Sequence, residues 1–179
     1  MKPIIIFLFV LSLFVGCGSS YYSYNVEHLN DAFDGFTIDR MSGNYLTDTY
    51  NVSNSAWLNV QKYKSKNDVI SYHLIIEYWD SKWLFIGEGE SLVLLVDGER
   101  IGFTGEGSKQ FREVESGTYG VASKEKAFYS VTVEQLRKIS NAKEVKIKIQ
   151  GSTSFATREF SKENFQNIRR FILECIDKK

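Results

Sequence analysis

Proline is nearly missing from this chain, with one residue, Pro3, among 179. Neither a proline-rich linker nor a collagen-like repeat is therefore present. A surplus of one charge is missing too: 22 Lys and Arg balance 22 Asp and Glu. With no excess positive charge to neutralise phosphates, nucleic acid drops out as a partner. Histidine occurs only at His28 and His73, and cysteine only at Cys17 and Cys175. Metal-ligand spacings such as Cys-x-x-Cys or His-x-x-x-His are consequently absent, as are a Gly-x-Ser-x-Gly elbow and a clustered aspartate loop of calcium type. The apolar run from Pro3 to Gly16 counts 14 residues, short of the about 20 that a bilayer-spanning helix requires. What the chain does have is 43% hydrophobic and 25% charged residues, the make-up of a packed protein of about one domain. Aromatic residues reach 15%, which favours sheets carrying large side chains on pleated faces.

The short apolar run follows Lys2 and ends in Phe14-Val15-Gly16-Cys17, then Gly18-Ser19-Ser20. This arrangement reads as an export signal peptide. A small residue directly before a cysteine at the end of such a run resembles the bacterial lipobox, with Phe14 where that motif usually carries leucine. The resemblance implies that the Cys17 thiol is acylated and that Cys17 becomes the first mature residue. The expected organisation is a signal peptide over 1–16, a lipidated tether over 17–24 and a single β-rich domain over 25–179. The expected address is a bacterial membrane, reached through the lipid on Cys17. Cys175 is then left without a partner, so the core alone has to stabilise the exported domain.

Along the domain, Val60 to Tyr63 and Ser71 to Trp79 read as strands around the polar loop Lys64-Ser65-Lys66-Asn67-Asp68. Lys62, Lys64 and Lys66 are expected at a solvated strand end. Ser91 to Val96, Asp97-Gly98, and Glu99 to Phe103 form the strongest hairpin signal, because Asp-Gly suits a two-residue turn with positive φ. Its first arm is apolar at consecutive positions, which predicts burial of both faces. Ala127 to Val131 reads as a strand. Thr132 and Gln135 then form a capping-box pattern that opens a short helix through Ile139. Glu144 to Gln150 alternates strictly, with Val145, Ile147 and Ile149 on one face. Phe155 to Phe160 follows as a strand, and Ser161 caps a last helix to about Ile176 with Phe165, Ile168, Ile172, Cys175 and Ile176 on one side.

Short connections between antiparallel-looking strands, with helices late in the chain, predict an α+β protein. The expected architecture is mainly an antiparallel β-sandwich or curved sheet, with a short helix and a docked C-terminal helix. Leu94-Leu95-Val96-Asp97-Gly98-Glu99-Arg100, the segment Tyr129 to Ile139, Asn141-Ala142-Lys143-Glu144-Val145 and Phe160-Ser161 resemble a group of uncharacterised bacterial lipoproteins. That resemblance implies a fold and an exported address, and no activity.

Candidate chemistry is sparse. No catalytic, cofactor-binding or metal-binding residue is assigned, and Cys17 is the one site residue, for lipidation. Gly102 to Lys109 lacks the lysine spacing of a phosphate loop and carries Glu106 where an anion would sit. The expected function is a lipid-anchored envelope module that binds an envelope protein or a carbohydrate through its aromatic surplus. The alternatives are a structural envelope component, or a hydrolase using carboxylates such as Glu77 and Asp80. Replacing Cys17 with alanine is expected to move the protein from the membrane to the soluble fraction of lysed cells. Wild-type protein found in the soluble fraction would disprove lipidation.

Overall fold

A computed structural model describes residues 23–48, 54–117 and 120–178, so Cys17, the expected signal peptide and most of the expected tether lie outside the described residues. The strands are β1 (Asn25–Asp31), β2 (Phe36–Ser42), β3 (Thr47–Asp48), β4 (Ser55–Lys64), β5 (Ile70–Asp80), β6 (Gly89–Val96), β7 (Glu99–Gly105), β8 (Arg112–Gly117), β9 (Gly120–Ser130), β10 (Val145–Gln150) and β11 (Phe155–Glu159). Two helices, α1 (Val133–Asn141) and α2 (Lys162–Phe171), complete the domain, and a π-helical turn over Ile172–Ile176 extends α2. Among the described residues the strands join one antiparallel sheet in the order β1-β2-β4-β5-β9-β7-β6-β10-β11-β3, with β8 beside β9. The α+β class stands, and its sheet is single, curved and open.

Curvature follows from one short segment. Residues 44–46 run along β4, where the Leu46 amide donates to the Ala56 carbonyl at 2.9 Å and the Leu58 amide to the Asn44 carbonyl at 3.1 Å. Directly afterwards β3 pairs with β11. The sheet must curl for β4 and β11 to flank the same stretch of chain. Gly43 makes the passage from β2 possible. Its φ is 80°, and a Cβ there would stand 2.0 Å from the Ser23 carbonyl oxygen. Only glycine accepts that conformation and that approach together.

Inside the curl lies one apolar cluster. Leu58 and Val60 of β4, Leu74 and Ile76 of β5, Leu92 and Leu94 of β6, and Ile147 and Ile149 of β10 are all buried in it. Each sits at alternate positions, since a strand presents every second side chain to the same face. The helices seal the cluster with Leu136 and Ile139 from α1 and Ile168 and Phe171 from α2. Both helix starts carry their expected caps. Thr132 Oγ1 accepts from the Gln135 amide at 3.1 Å while Gln135 Oε1 accepts from the Thr132 amide at 2.9 Å. The Ser161 amide donates to Asn164 Oδ1 at 2.7 Å. The two helices are tied by the Arg169 guanidinium, which donates to the Ser140 carbonyl at 2.8 Å.

The β6–β7 hairpin turns through Asp97 (φ 50°) and Gly98 (φ 85°), the positive pair that a two-residue turn demands. Asp97 does more than turn: its Oδ1 accepts from the Lys143 and Glu144 amides, both at 2.9 Å, and so fixes the entry to β10. Burial of both faces of β6 is not observed. Leu92, Leu94 and Val96 are buried, whereas Val93 is half-buried and Leu95 is 41% exposed. The strand is central in pairing, between β7 and β10, but no layer of the described residues covers its outer face. Lys62 also departs from a purely solvated end, because its ammonium donates to the Cys175 carbonyl at 2.6 Å and stands 3.6 Å from Asp39.

A Cβ at Gly98 would meet no atom within 4 Å, so substitution there probes backbone strain alone. Gly98→Val is expected to cost about 1–2 kcal/mol. Thermal melting checks this as a fall in Tm of about 2–8 °C, and an unchanged midpoint would refute the turn's importance.

Candidate functional site

The outer face of β4, β5 and β9 gathers aromatic, polar and charged side chains in register. In β4 and β5 the even positions, among them Leu58, Val60, Leu74 and Ile76, enter the core. The odd positions, Trp57, Asn59, Glu77 and Trp79, therefore turn the other way. Pairing register aligns them across strands: Trp57 opposite Glu77 and Glu77 opposite Lys126, Asn59 opposite Ile75 and Ile75 opposite Phe128. Trp79 lies opposite Lys124, and Lys124 opposite Glu113 of β8. Side chains directly opposite in antiparallel strands share a face and touch.

Together these rows line two adjoining clefts. One, of about 500 Å³, has Trp57, Asn59, Glu77 and Trp79 as its sheet wall and Ser23, Tyr24 and Ser42 at its rim. The other, of about 200 Å³, shares Glu77 and Trp79 and continues over Lys124, Lys126, Phe111 and Glu113. Trp57 and Asn59, 4% and 2% exposed, form the floor. Trp57 packs at 4.9 Å between ring centroids from Trp79, and edge-on at 5.5 Å from Tyr45. The Lys124 ammonium lies 3.9 Å from the Trp79 ring centre, a cation–π contact. Glu77 Oε1 accepts from Asn59 Nδ2 at 3.3 Å and faces the Lys126 ammonium at 3.7 Å. Both members of that ion pair remain partly open, with 25% and 35% of their side-chain surface exposed.

The expected chain tether ends at this rim. Tyr24 Oη donates to Glu174 Oε2 at 2.9 Å, and the Arg170 guanidinium sits 4.4 Å from its ring centre. Burial and the neighbouring Glu174 carboxylate push the Tyr24 hydroxyl pKa upward, so it stays a donor. The residue that precedes β1 is thereby pinned to the C-terminal turn.

Of the two carboxylates singled out in the sequence, only Glu77 reaches the cleft. Asp80, three positions on, projects from the opposite face of β5 and receives hydrogen bonds from Tyr78 Oη at 3.0 Å and the Ser81 amide at 2.6 Å. The two do not form a pair, so they do not supply the acid and base of a hydrolase between them. The histidines stay apart as well. His28 on β1 bonds Asp39 at 2.7 Å on an exposed edge. His73 sits on β5, where burial holds its pKa below the ordinary range. Among the described residues no group of three or more His, Cys, Asp and Glu is placed to hold a metal ion, and no helix is long and apolar enough to cross a membrane. Trp57, Asn59 and Lys126 escaped the sequence reading. The signal for them was the odd-position run of aromatic and polar residues in β4 and β5, hidden because the reading starts its first strand at Val60.

Compared with protein-family models, curated proteins and solved structures, the chain matches none.

Cys175, 4% exposed, is a buried apolar group, and burial pushes its thiol pKa up to about 11. In the Cys17→Ala protein, where it is the remaining thiol, labelling of the folded chain by a maleimide at neutral pH is expected to run at least about a hundredfold slower than in denaturant. Equal rates would contradict the docking of the last turn.

Proposed function

We propose that the protein is a lipid-anchored binding module of a bacterial envelope, held by the acylated Cys17 and meeting its ligand in the cleft around Glu77 and Trp79. The observation that carries this reading is the convergence of Trp79, Glu77 and Lys126, over a buried floor of Trp57 and Asn59, from three adjacent strands onto two adjoining clefts. A strand face built only for solubility carries scattered charges. Here an aromatic floor lies beside a partly open carboxylate and ammonium, the mixture by which a pocket both desolvates and orients a ligand. The lipobox-like Phe14-Val15-Gly16-Cys17 and the resemblance to exported lipoproteins support the address.

The chemistry of the surface favours binding over turnover. Glu77 is engaged by Asn59 and Lys126, and Asp80 lies on the other face. Rigidity suits binding too: the cleft floor rests on β4 and β5, which pair over ten consecutive residues from Ser55–Trp79 to Lys64–Ile70. A preformed surface spends little ordering entropy on its ligand.

The test is capture from detergent-solubilised native envelopes on the immobilised full-length protein, alongside a broad hydrolase screen. Wild type is expected to retain an envelope component, and Trp79→Ala to lose most of it, as truncation of an aromatic anchor usually does. Reproducible turnover abolished by Glu77→Gln, with nothing retained, would overturn the reading in favour of an enzyme.

A further inference from the structure

We infer that the ligand of the Glu77–Trp79 cleft is a neutral glycan chain, taken up close to the membrane surface. This rests on the reading of the domain as an anchored binding module and adds to it the chemical class of the ligand.

Charge comes first. The cleft lining carries Glu77, Glu113 and Glu125 with Lys124 and Lys126. The Glu125 carboxylate is already taken by the Leu84, Phe85 and Ile86 amides, Ser108 and Arg112, which leaves two carboxylates facing two lysines. Lys126 faces Glu77 at 3.7 Å, and Lys124 pairs with Glu115 while lying over Trp79. An anionic ligand would have to part these lysines from their carboxylates, and a cationic one would have to part the carboxylates from their lysines. Neither exchange gains charge attraction in a site already balanced.

Hydrogen-bonding capacity points the same way. A carboxylate has about four acceptor positions and an ammonium three donors. Glu77 and Lys126 use part of that capacity on each other and on Asn59, and the rest opens toward the cleft. The ligand that satisfies an acceptor and a donor standing side by side without carrying charge is one whose groups each donate and accept. Hydroxyl groups do so, and neighbouring hydroxyls on a sugar ring match a neighbouring acceptor and donor. The partly exposed Trp79 indole, seated on the buried Trp57, supplies the apolar complement for the C–H surface of such a ring. Two adjoining clefts that meet at Glu77 and Trp79 give room for successive rings of a chain.

Position adds the membrane. Ser23 and Tyr24 form the rim, and Tyr24 is fixed by Glu174 and Arg170. From Cys17 to Ser23 is a stretch that reaches about 25 Å at most when fully extended. A domain anchored at Cys17 thus holds this cleft within that reach of its bilayer, where a glycan is met as a chain lying on the membrane or as the headgroup of a glycolipid.

Full-length protein in detergent is titrated with two neutral hexasaccharides, chitohexaose and maltohexaose, and read by tryptophan fluorescence, two of the three tryptophans being in the cleft. Phosphatidylcholine vesicles carrying digalactosyldiacylglycerol distinguish a glycolipid source from a free chain. Saturable binding of at least one probe is expected, weakened about tenfold by Trp79→Ala and about three- to tenfold by Glu77→Gln, which preserves the shape of the side chain. Leu95→Ala, on the outer face of β6, is expected to leave it unchanged. No saturable response at about 10 mM in protein that keeps its parent Tm, or equal binding by both cleft variants, overturns the inference. Should envelope capture depend on Trp79 while the saccharides fail, the glycan inference falls and the binding module stands. Should saccharides bind while the wild-type protein proves soluble, the anchored reading falls and the glycan site stands.

Discussion

One buried carboxylate holds the domain's most irregular stretch in place. Glu125 of β9 is 1% exposed, and it accepts hydrogen bonds from three consecutive amides, Leu84 at 2.5 Å, Phe85 at 2.9 Å and Ile86 at 3.0 Å. Ser108 Oγ donates a fourth at 2.6 Å, and the Arg112 guanidinium stands 3.8 Å away. Taking a carboxylate out of water is costly, and a full set of donors is what makes it tolerable. In return the loop after β5 loses its freedom. Phe85 is held at φ 55°, a conformation that non-glycine residues seldom adopt. Ile86 then bridges to Gly151 and the Gly87 amide bonds the Gln150 carbonyl at 3.2 Å, so the loop spans from β9 to the end of β10.

That inward carboxylate also sets the outward face. Strand alternation sends Lys124 and Lys126 to the side opposite Glu125. There they meet Trp79 and Glu77. Slipping β9 by one residue would drive two lysines into the core and strand three loop amides without an acceptor. The register of β9 against β5, from His73–Ser130 to Asp80–Ser123, is therefore specified from both faces at once. The loop, the core and the cleft share this one constraint.

Arg158 is the second buried charge, on β11 at the other flank of the curl. Its guanidinium donates to the Thr157 carbonyl at 2.6 Å and to Asn54 ahead of β4, with Asp48 of β3 at 3.8 Å. These contacts fasten β11 and β3 to the start of β4 and so complement the backbone bonds that curl the sheet. Asn164 plays a matching role for the helix, donating to Asn44 Oδ1 at 2.8 Å and to the Tyr45 carbonyl at 2.7 Å. Polar groups at these junctions choose one arrangement among several that would bury similar apolar area, because a mismatch would leave them unpaired.

Local physics sufficed for much of the fold. Asp97-Gly98 dictated its hairpin, since only residues at ease with positive φ make that turn. Thr132 with Gln135 and Ser161 marked both helix starts, and the alternation of Val145, Ile147 and Ile149 declared a half-buried strand. These signals act over a few residues and need no distant partner. The outer face of β6 defeated the same reasoning: Leu95 looks like a core residue, but whether a second layer covers it depends on how the whole sheet curls. Glu125 was equally hidden, a charged residue between two lysines whose burial rests on a loop about forty positions away. The cleft belongs to this second kind. By itself the sequence determined the Asp97-Gly98 turn, the helix starts and the strands from β5 onward other than β8, because they follow from propensity and period, whereas β1, β2, β3 and β8 carry no such local signal. Only the tertiary structure decided that Trp57, Glu77 and Lys126 share one row, since cross-strand register is fixed by packing between segments far apart in the chain.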